Sequence, residues 1–561
     1  MGAHLTLHDL IRGDRWLKPV HHLPGYPFGR GPHYRLSIVG ALARHARVRP
    51  SMPFMTEIGY SSPHKTVTYG QAHRRVQQRV AVLDSWGLKP GEMVGILGHN
   101  SIDYVLAVLA VLEAGCVIVL LNPLDPIARA AAQCAFAQVR FLLHDSDCAA
   151  TAEACGGVER TSSFQDFEQL ASSLRPGRQV QDGSPKPTDA ALIIFTSGTT
   201  GAPKAVVQSH YSVARNAFSL AEHHRVKPGV CFLCVLPLHH VNGLEFTIFS
   251  VMVGAGHTVI SRRFDGLRFW KDVREHRIQI ASLVPHLLGK LADRPGLQEK
   301  EAAPLRYAVS AAAPLSVIIS ERVWKRLGLR IVQGYGLSEV SNFSCLMPVQ
   351  LSDLDYEQWM LRGPRTSIGR VLRGQEIEIH NAQSVAREGD EGEIVIRGHC
   401  VMSGYLNNPA ATEEAFRDGW FHTGDVGYFI TDIHGHKYFQ VSGRTREIAK
   451  RSGAMVSLLE VDEVLTSIPG VEDAGSAAFA NDWVGEEIAA FVVREAAGTL
   501  TQDAIAKHCR RVLPFSAVPK AIQFVEEIPR SASGKIRRAE ISARFDDFRE
   551  RLFVERPSEA S

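Results

Sequence analysis

The run YVLAVLAVLEAGCVIVLL, Tyr104 to Leu121, is apolar for eighteen residues apart from Glu113. A stretch of this length either crosses a membrane or lies in the middle of a large core. Glu113 and Gly115 interrupt it, and its second half turns rich in β-branched residues. Those features predict a core helix followed by a buried strand rather than a membrane span. The same alternation recurs on either side. From about Val67 a helix-like stretch, a GLKPGEMV turn and the apolar strand VGIL precede it, and another helix-like stretch follows. Such alternation predicts βα units around a mostly parallel sheet covered on both faces.

A chain of 561 residues exceeds one compact core, so several units are expected. With 45% hydrophobic and 22% charged residues it reads as an ordinary globular protein. The net charge of +3 gives no reason to expect nucleic acid as a partner, and no integral membrane association is predicted. Nine scattered cysteines argue against a disulfide framework and for a reducing cytoplasm. Cys231 and Cys234 in CFLC have metal-like spacing, but no second pair supports them and their flanks are apolar, so a buried strand is the reading. The start, MGAHLTLHDLIRG, lacks the apolar core of a signal peptide; its formal myristoylation pattern of Met1, Gly2 and Thr6 carries little weight.

Between Ser173 and Asp189 a segment rich in Pro, Gly and charge reads as an exposed linker, ending where the strand ALIIF begins. A further α/β series runs from Tyr211 to about Arg362. The texture then changes to alternating strands, QEIEIH, GEIVIRG and KYFQVSG, as in a small antiparallel unit, before short α/β elements return from about Glu447. The expected fold class is α/β: a large N-terminal domain of βα-type sheets over residues 36–445, with a β subdomain at about 363–445, then a small mobile α+β domain over 446–545. Residues 1–35 form a Pro/Gly-rich extension whose role the sequence does not reveal, and 546–561 a tail.

Directly after ALIIF comes FTSGTTGAPK, Phe195 to Lys204. Gly198 and Gly201 let the backbone approach a ligand closely and turn successive N–H groups into one concavity. Thr196, Ser197, Thr199 and Thr200 add hydroxyl donors and Lys204 a positive charge, which together suit a polyphosphate. The P-loop pattern is not met, because Pro203 precedes the lysine and Ala205 follows it.

This decapeptide resembles the signature loop of the adenylate-forming superfamily, which includes acyl- and aryl-CoA ligases, peptide-synthetase adenylation domains and firefly luciferases. LPLHHVNGL (Leu236–Leu244), AVSAAAPLS (Ala308–Ser316), QGYGLSE (Gln333–Glu339), WFHTGD (Trp420–Asp425), SGRTREIAKRSG (Ser442–Gly453) and PRSASGKIRR (Pro529–Arg538) agree in order and spacing, and the resemblance covers about residues 36 to 545. It implies an ATP-dependent carboxylic acid:CoA ligase. Such an enzyme activates a carboxylate as acyl-AMP with release of pyrophosphate, then forms the thioester, using ATP, Mg2+ and coenzyme A. Two anions must meet in the first step, so positive charge and oriented donors are needed rather than a covalent nucleophile.

Residue by residue, the resemblance makes Lys535 the lysine bridging carboxylate and α-phosphate, and Glu339 the acid associated with magnesium, a hard oxygen ligand suited to that metal. Tyr335 corresponds to the ring that packs on adenine; Gly334, Gly336, Ser338 and Ala312 line the nucleotide. Asp425 is the acceptor for the ribose hydroxyls, with Arg444 near ribose and phosphate. His240 stands between nucleotide and acyl pockets; its neighbour His239 replaces a common aromatic. The acyl pocket is expected to draw on His240, Val241, Asn242, Ser310, Ala311, Gly336 and Val340, with Phe246 and His286 nearby. Arg446 falls at the hinge of the C-terminal domain and Gly453 beside the pantetheine tunnel.

Three departures bear on the later steps. Ala311 stands where glycine is frequent, Ala205 replaces the glycine after the loop lysine, and Leu458 replaces a proline, so the second half-reaction is less firmly implied than the first. The acceptor could also be the phosphopantetheine of a carrier protein, and a non-catalytic nucleotide-binding protein is the reading from another class. The identity of the acid and association into a homodimer stay open.

Overall fold

The computed structural model describes residues 10–12, 14–28, 37–59, 64–175, 185–196, 204–293, 304–313, 315–381, 384–444, 447–451, 454–482, 484–495, 500–531, 534–551 and 553. Four sheets organise them. The first has nine strands in the order Arg370–Val371, Cys345–Leu346, Arg330–Tyr335, Tyr307–Ser310, Ile280–Leu283, Cys231–Cys234, His257–Ser261, Pro53–Ile58, Lys65–Thr68, parallel throughout except where the terminal strands fold back. The second has seven, Gly404–Tyr405, Lys204–Ser209, Ala190–Thr196, Val117–Leu121, Met93–Leu97, Phe141–His144 and Arg160–Ser163, of which the first two are antiparallel.

The run from Tyr104 to Leu121 has the expected form, a helix Ile102–Glu113 followed by the central strand Val117–Leu121. Its apolarity on every side has a simple cause. The largest core cluster joins residues of both sheets, Cys234 and Ile260 from one and Val94, Ile118 and Leu192 from the other, with this helix included. A helix sandwiched between two sheets has no solvent face to make polar. No helix among the described residues is long and apolar enough to cross a membrane. Ser101 caps the helix by accepting from the Tyr104 N–H, and Glu113 at its end meets Gln77.

The CFLC pair lies in a strand of the nine-stranded sheet. Side chains three apart on a strand point to opposite faces, so these two sulfurs do not converge. All nine cysteines are buried and unpaired.

A third, antiparallel sheet contains Gln375–His380, Gly392–Gly398, Trp420–Thr431, Phe416–Arg417 and Lys437–Arg444, with burial alternating along Gln375–His380 as a half-buried strand requires. A fourth contains Ala454–Ser457, Ile448–Arg451, Gly485–Arg494, Val471–Asn481 and Ala521–Phe524, and closes its own core with the helices Leu458–Thr466 and Gln502–Val512.

Candidate active site

The glycine-rich motif does not lead from a strand into a helix. It joins two antiparallel strands, with Thr196 paired to Lys204 and the Thr196 hydroxyl donating to the Lys204 carbonyl at 3.3 Å. Ser197, Gly198, Thr199, Thr200 and Gly201 lie outside the described residues. Lys204 therefore belongs to a strand, which fixes its backbone. Its ammonium sits over the ring of Tyr405, 4.7 Å from the centroid. The Tyr405 hydroxyl donates to Glu339 Oε1 at 3.0 Å. Cation, phenol and carboxylate thus stand in a row at the mouth of the loop.

Glu339 lies on a short 3-10 turn, Ser338–Val340, at the end of the strand Arg330–Tyr335. That strand end needs glycine: a Cβ on Gly336 would meet the Asn342 carbonyl oxygen at 1.7 Å, and one on Gly334 would meet Phe343 at 2.5 Å. The Tyr335 hydroxyl donates to Asp425 Oδ2 at 2.7 Å, so the residue expected at adenine and the residue expected at ribose are already joined. Asp425 is buried and sits on the strand Trp420–Thr431, in register with Arg444, whose side chain is outside the described residues. Ala312 is exposed with φ of 71°, a left-handed backbone that an alanine adopts only at a cost. Ser338 is half-buried at the start of the 3-10 turn that carries Glu339.

His240 lies on the turn following the strand Cys231–Cys234. Asn100 holds this turn from outside: its amide donates to the Leu236 carbonyl at 3.0 Å, and its carbonyl accepts from the Leu238 N–H at 2.8 Å. The chain then enters a π-helix, Asn242–Phe249, where a Cβ on Gly243 would fall 2.2 Å from the Pro237 carbonyl oxygen. π-Turns often mark functional sites because the extra residue re-aims its neighbours. Nε2 of His240 is buried and has no hydrogen-bond partner in the structure. Burial, with the positive charge of Lys535 second, lowers its pKa to about 4, so the ring is neutral at pH 7. His239 is buried against it, ring centroids 4.4 Å apart, and burial pushes its pKa down as well.

The residues expected around the acyl pocket differ in their burial and partners. Val241 is half-buried beside His240, and its carbonyl accepts from Asn342 Nδ2 at 3.4 Å. Asn242 is turned toward Ser282, whose hydroxyl donates to its Oδ1 at 2.7 Å. Ser310 is fully buried with its hydroxyl oxygen unpartnered. Ala311, however, packs in the core of the nine-stranded sheet. So does Phe246, against Phe232 and Phe343. Val340, on the 3-10 turn, is likewise buried in a core cluster with Val206 and Cys345. The His286 side chain lies outside the described residues.

Lys535 is carried on a tight turn of the C-terminal unit. The Gly534 N–H donates to the Ser531 carbonyl and the Ser531 N–H to the Lys535 carbonyl, both at 2.8 Å. Arg530 braces the turn by donating to the Gly534 carbonyl at 3.0 Å and to Asp473 Oδ1 at 2.7 Å. Gly534 has φ of 83° and approaches Val284, whose side chain would lie 3.6 Å from its Cβ. The lysine turn is therefore seated at the end of the strand Ile280–Leu283, and its charge is felt at His240. Arg446 and Gly453 lie outside the described residues.

For a magnesium ion the donor set is suitable: a hard carboxylate, Glu339, oriented by a phenol and beside the loop lysine. One protein carboxylate with phosphate and water oxygens is the usual arrangement for this metal. Tyr405 and Asn100 are the contributors that sequence reasoning missed. Both act through residues far away in the chain, and neither falls within a quoted motif.

Family models for "AMP-binding enzyme" and "AMP-binding enzyme C-terminal domain" match residues 42–406 and 460–535. The chain is 30% identical over 505 residues to oxalate–CoA ligase of Arabidopsis thaliana, covering 85% of this chain and 93% of that one. It is 31% identical to sulfoacetate–CoA ligase of Cupriavidus necator, covering 81% and 88%. Among solved structures, ATP-bound MatB from Rhodopseudomonas palustris shares the fold with a TM-score of 0.81 at 22% identity, over 91% of this chain and all of that one.

Proposed function

Because the chain belongs to the AMP-binding enzymes of the adenylate-forming superfamily and is an acyl-CoA synthetase, we propose that it joins a small carboxylic acid to CoA in two half-reactions at this one site. In the first, a carboxylate oxygen attacks the α-phosphorus of ATP. The bond to the bridging oxygen breaks, pyrophosphate leaves with the electron pair, and acyl-AMP remains. In the second, the thiolate sulfur attacks the acyl carbon and AMP departs. The observation that carries this reading is the seating of the Lys535 turn against Val284, at the end of the strand Ile280–Leu283, whose neighbour Cys231–Cys234 leads into the His240 turn.

The roles follow from charge. Lys535 offsets the repulsion between carboxylate and phosphate oxygens as they approach. His240, neutral, accepts or donates one hydrogen bond through Nε2 without adding charge, and Val241, Asn242 and Ser310 receive the acid beyond it. Lys204 and the glycine-rich loop hold the triphosphate; Asp425 and Tyr335 hold the nucleoside, with Gly334, Gly336, Ser338 and Ala312 forming its walls. Glu339 would hold Mg2+, which when bound withdraws charge from the phosphates. The 446–545 unit acts as the lid, turning at Arg446 to bring Gly453 and the pantetheine arm to the acyl-AMP.

ATP–pyrophosphate exchange driven by a panel of acids tests the first half, and the panel should include the dianionic acids for which relatives are named alongside aryl, medium-chain and long-chain acids. Exchange with none of them would overturn the reading. Presenting CoA and a holo carrier protein side by side decides the acceptor. Lys535→Ala should lower adenylation at least about a hundredfold, the scale of losing one preorganised donor, while supplied acyl-AMP plus CoA still reacts.

A further inference from the structure

The N-terminal arm, which the sequence motifs leave unexplained, sends Leu10, Trp16 and Phe28 into a small core cluster with Tyr211. Trp16 is fully buried and its indole N–H donates to the Thr188 carbonyl at 3.1 Å. Phe28 meets Tyr211 edge-on with centroids 4.7 Å apart, and Arg12 pairs with Asp189 at 3.8 Å. These contacts fix the arm to the start of the strand Ala190–Thr196 and to the helix His210–His223. On its other side the Tyr26 carbonyl meets His399 Nε2 at 2.9 Å, His399 Nδ1 meets the Tyr211 hydroxyl at 3.2 Å, and Lys18 lies over Phe416. The arm therefore bridges the seven-stranded sheet to the β subdomain.

His21 is the centre of this bridge. It is fully buried between Trp16, Phe28 and Phe416. Nε2 faces the Met402 carbonyl at 2.9 Å, which can only accept, while Nδ1 lies 3.0 Å from the Lys18 backbone N–H and 3.3 Å from the Lys18 carbonyl; a neutral ring satisfies Met402 only with its proton on Nε2, leaving Nδ1 to accept from the Lys18 N–H. Burial keeps the ring neutral, with a pKa lowered to about 4. The same residue, Met402, donates its own N–H to the Glu339 carbonyl at 2.7 Å. Three residues on, Tyr405 donates to the Glu339 carboxylate. One short segment thus grips Glu339 at backbone and at side chain, and His21 grips that segment.

We propose that His21 is a positioning residue for Glu339, the arm serving as a strap that sets where the metal-bound triphosphate sits. This rests on the functional reading above only in naming what Glu339 holds. Loss of such an outer partner costs on the order of tenfold in metal or substrate affinity. Substitution to glutamine keeps an amide N–H able to reach Met402, and substitution to alanine removes it.

Calorimetric titration of Mg·ATP into the full chain, its His21→Ala form and its His21→Gln form decides the matter without requiring turnover. The expected result is binding about tenfold weaker for His21→Ala and largely restored for His21→Gln. In exchange assays the apparent KM for Mg·ATP should rise likewise, while the KM of the acid stays constant. Equal Mg·ATP binding by wild type and His21→Ala, or an equal rise in both KM values, would overturn the strap. Wild-type protein that binds Mg·ATP but exchanges no acid would instead overturn the functional reading and leave the binding comparison valid.

Discussion

At the scale of single residues, the site is built from side chains whose partners are other site residues. Tyr335 and Asp425 come from strands ninety positions apart, yet their hydroxyl–carboxylate bond of 2.7 Å orients the carboxylate before any nucleotide arrives. A hydrogen bond to a charged group is worth about 1.5–3 kcal/mol, so Tyr335→Phe should raise the KM for ATP about tenfold and leave the KM for the acid unchanged. Steady-state kinetics with each substrate varied in turn would show it; an unchanged ATP KM would mean that the bond orients nothing. Glu339 illustrates what a sequence conceals. Its motif was readable, but Tyr405 and Met402, which hold it, lie more than sixty positions away. Only the fold brings them together.

At the scale of elements, the C-terminal unit meets the rest of the chain through identifiable side chains. Its helix Leu458–Thr466 lies beside the strand Lys437–Arg444, where the Ser457 hydroxyl donates to the Ser442 carbonyl at 2.9 Å. The same helix places Glu463 Oε2 at 3.5 Å from Arg365 Nε. Burial raises the Glu463 carboxyl to about 7; Arg365 opposes that shift, and Asp462 and Glu460 add to it. Asp462 is itself engaged by Arg538 at 2.8 Å. Removing Arg365 would leave an unpaired, largely buried carboxylate, the costly case for a broken ion pair. Arg365→Ala should thus slow pyrophosphate exchange several-fold at pH 8, and less at pH 6, where Glu463 is protonated. Adding Glu463→Gln should restore exchange at both. Equal losses at the two pH values would refute this docking role. Neither residue belongs to a recognisable motif, so this contact was not legible in advance, whereas the strands and helices themselves were, because their periodicity reports local burial. The glycine-rich loop falls between these cases: its flanking strand was clear, but its return as an antiparallel strand depended on Lys204–Ser209 finding an edge beside Ala190–Thr196.

At the scale of the whole molecule, sheet order was the least readable level. Pro53–Ile58 and Lys65–Thr68 precede every strand of the seven-stranded sheet, yet they pair with the nine-stranded one through His257–Ser261, two hundred residues later. Sandwiching helices between two such sheets buries polar groups along with apolar ones, and this fixes how stability responds to pH. His21, His210, His223, His240 and His257 are lowered by burial to about 4, and burial also lowers His224 and His239 well below the ordinary value. Between pH 4 and 6.5 the unfolded chain binds more protons at these positions, so stability rises with pH, each of the first five contributing about 3 kcal/mol across the window. Glu113 and Glu463, raised by burial to about 7, act oppositely: the folded form binds more protons, and stability is lost as pH rises from about 4.5 to 7; Glu245, raised well above its ordinary value by burial, acts in the same direction. Among the groups shifted this far, the histidines outnumber the carboxyls, which gives a net rise to pH 6.5. Above that the histidines have no further effect while the carboxyls still titrate, which predicts a maximum near pH 6.5 and a shallow decline beyond it. Melting temperatures from pH 4.5 to 8 in a buffer of constant ionic strength would trace this curve. A steady fall from pH 5 to 7 would show that the buried carboxyls, not the histidines, govern the molecule.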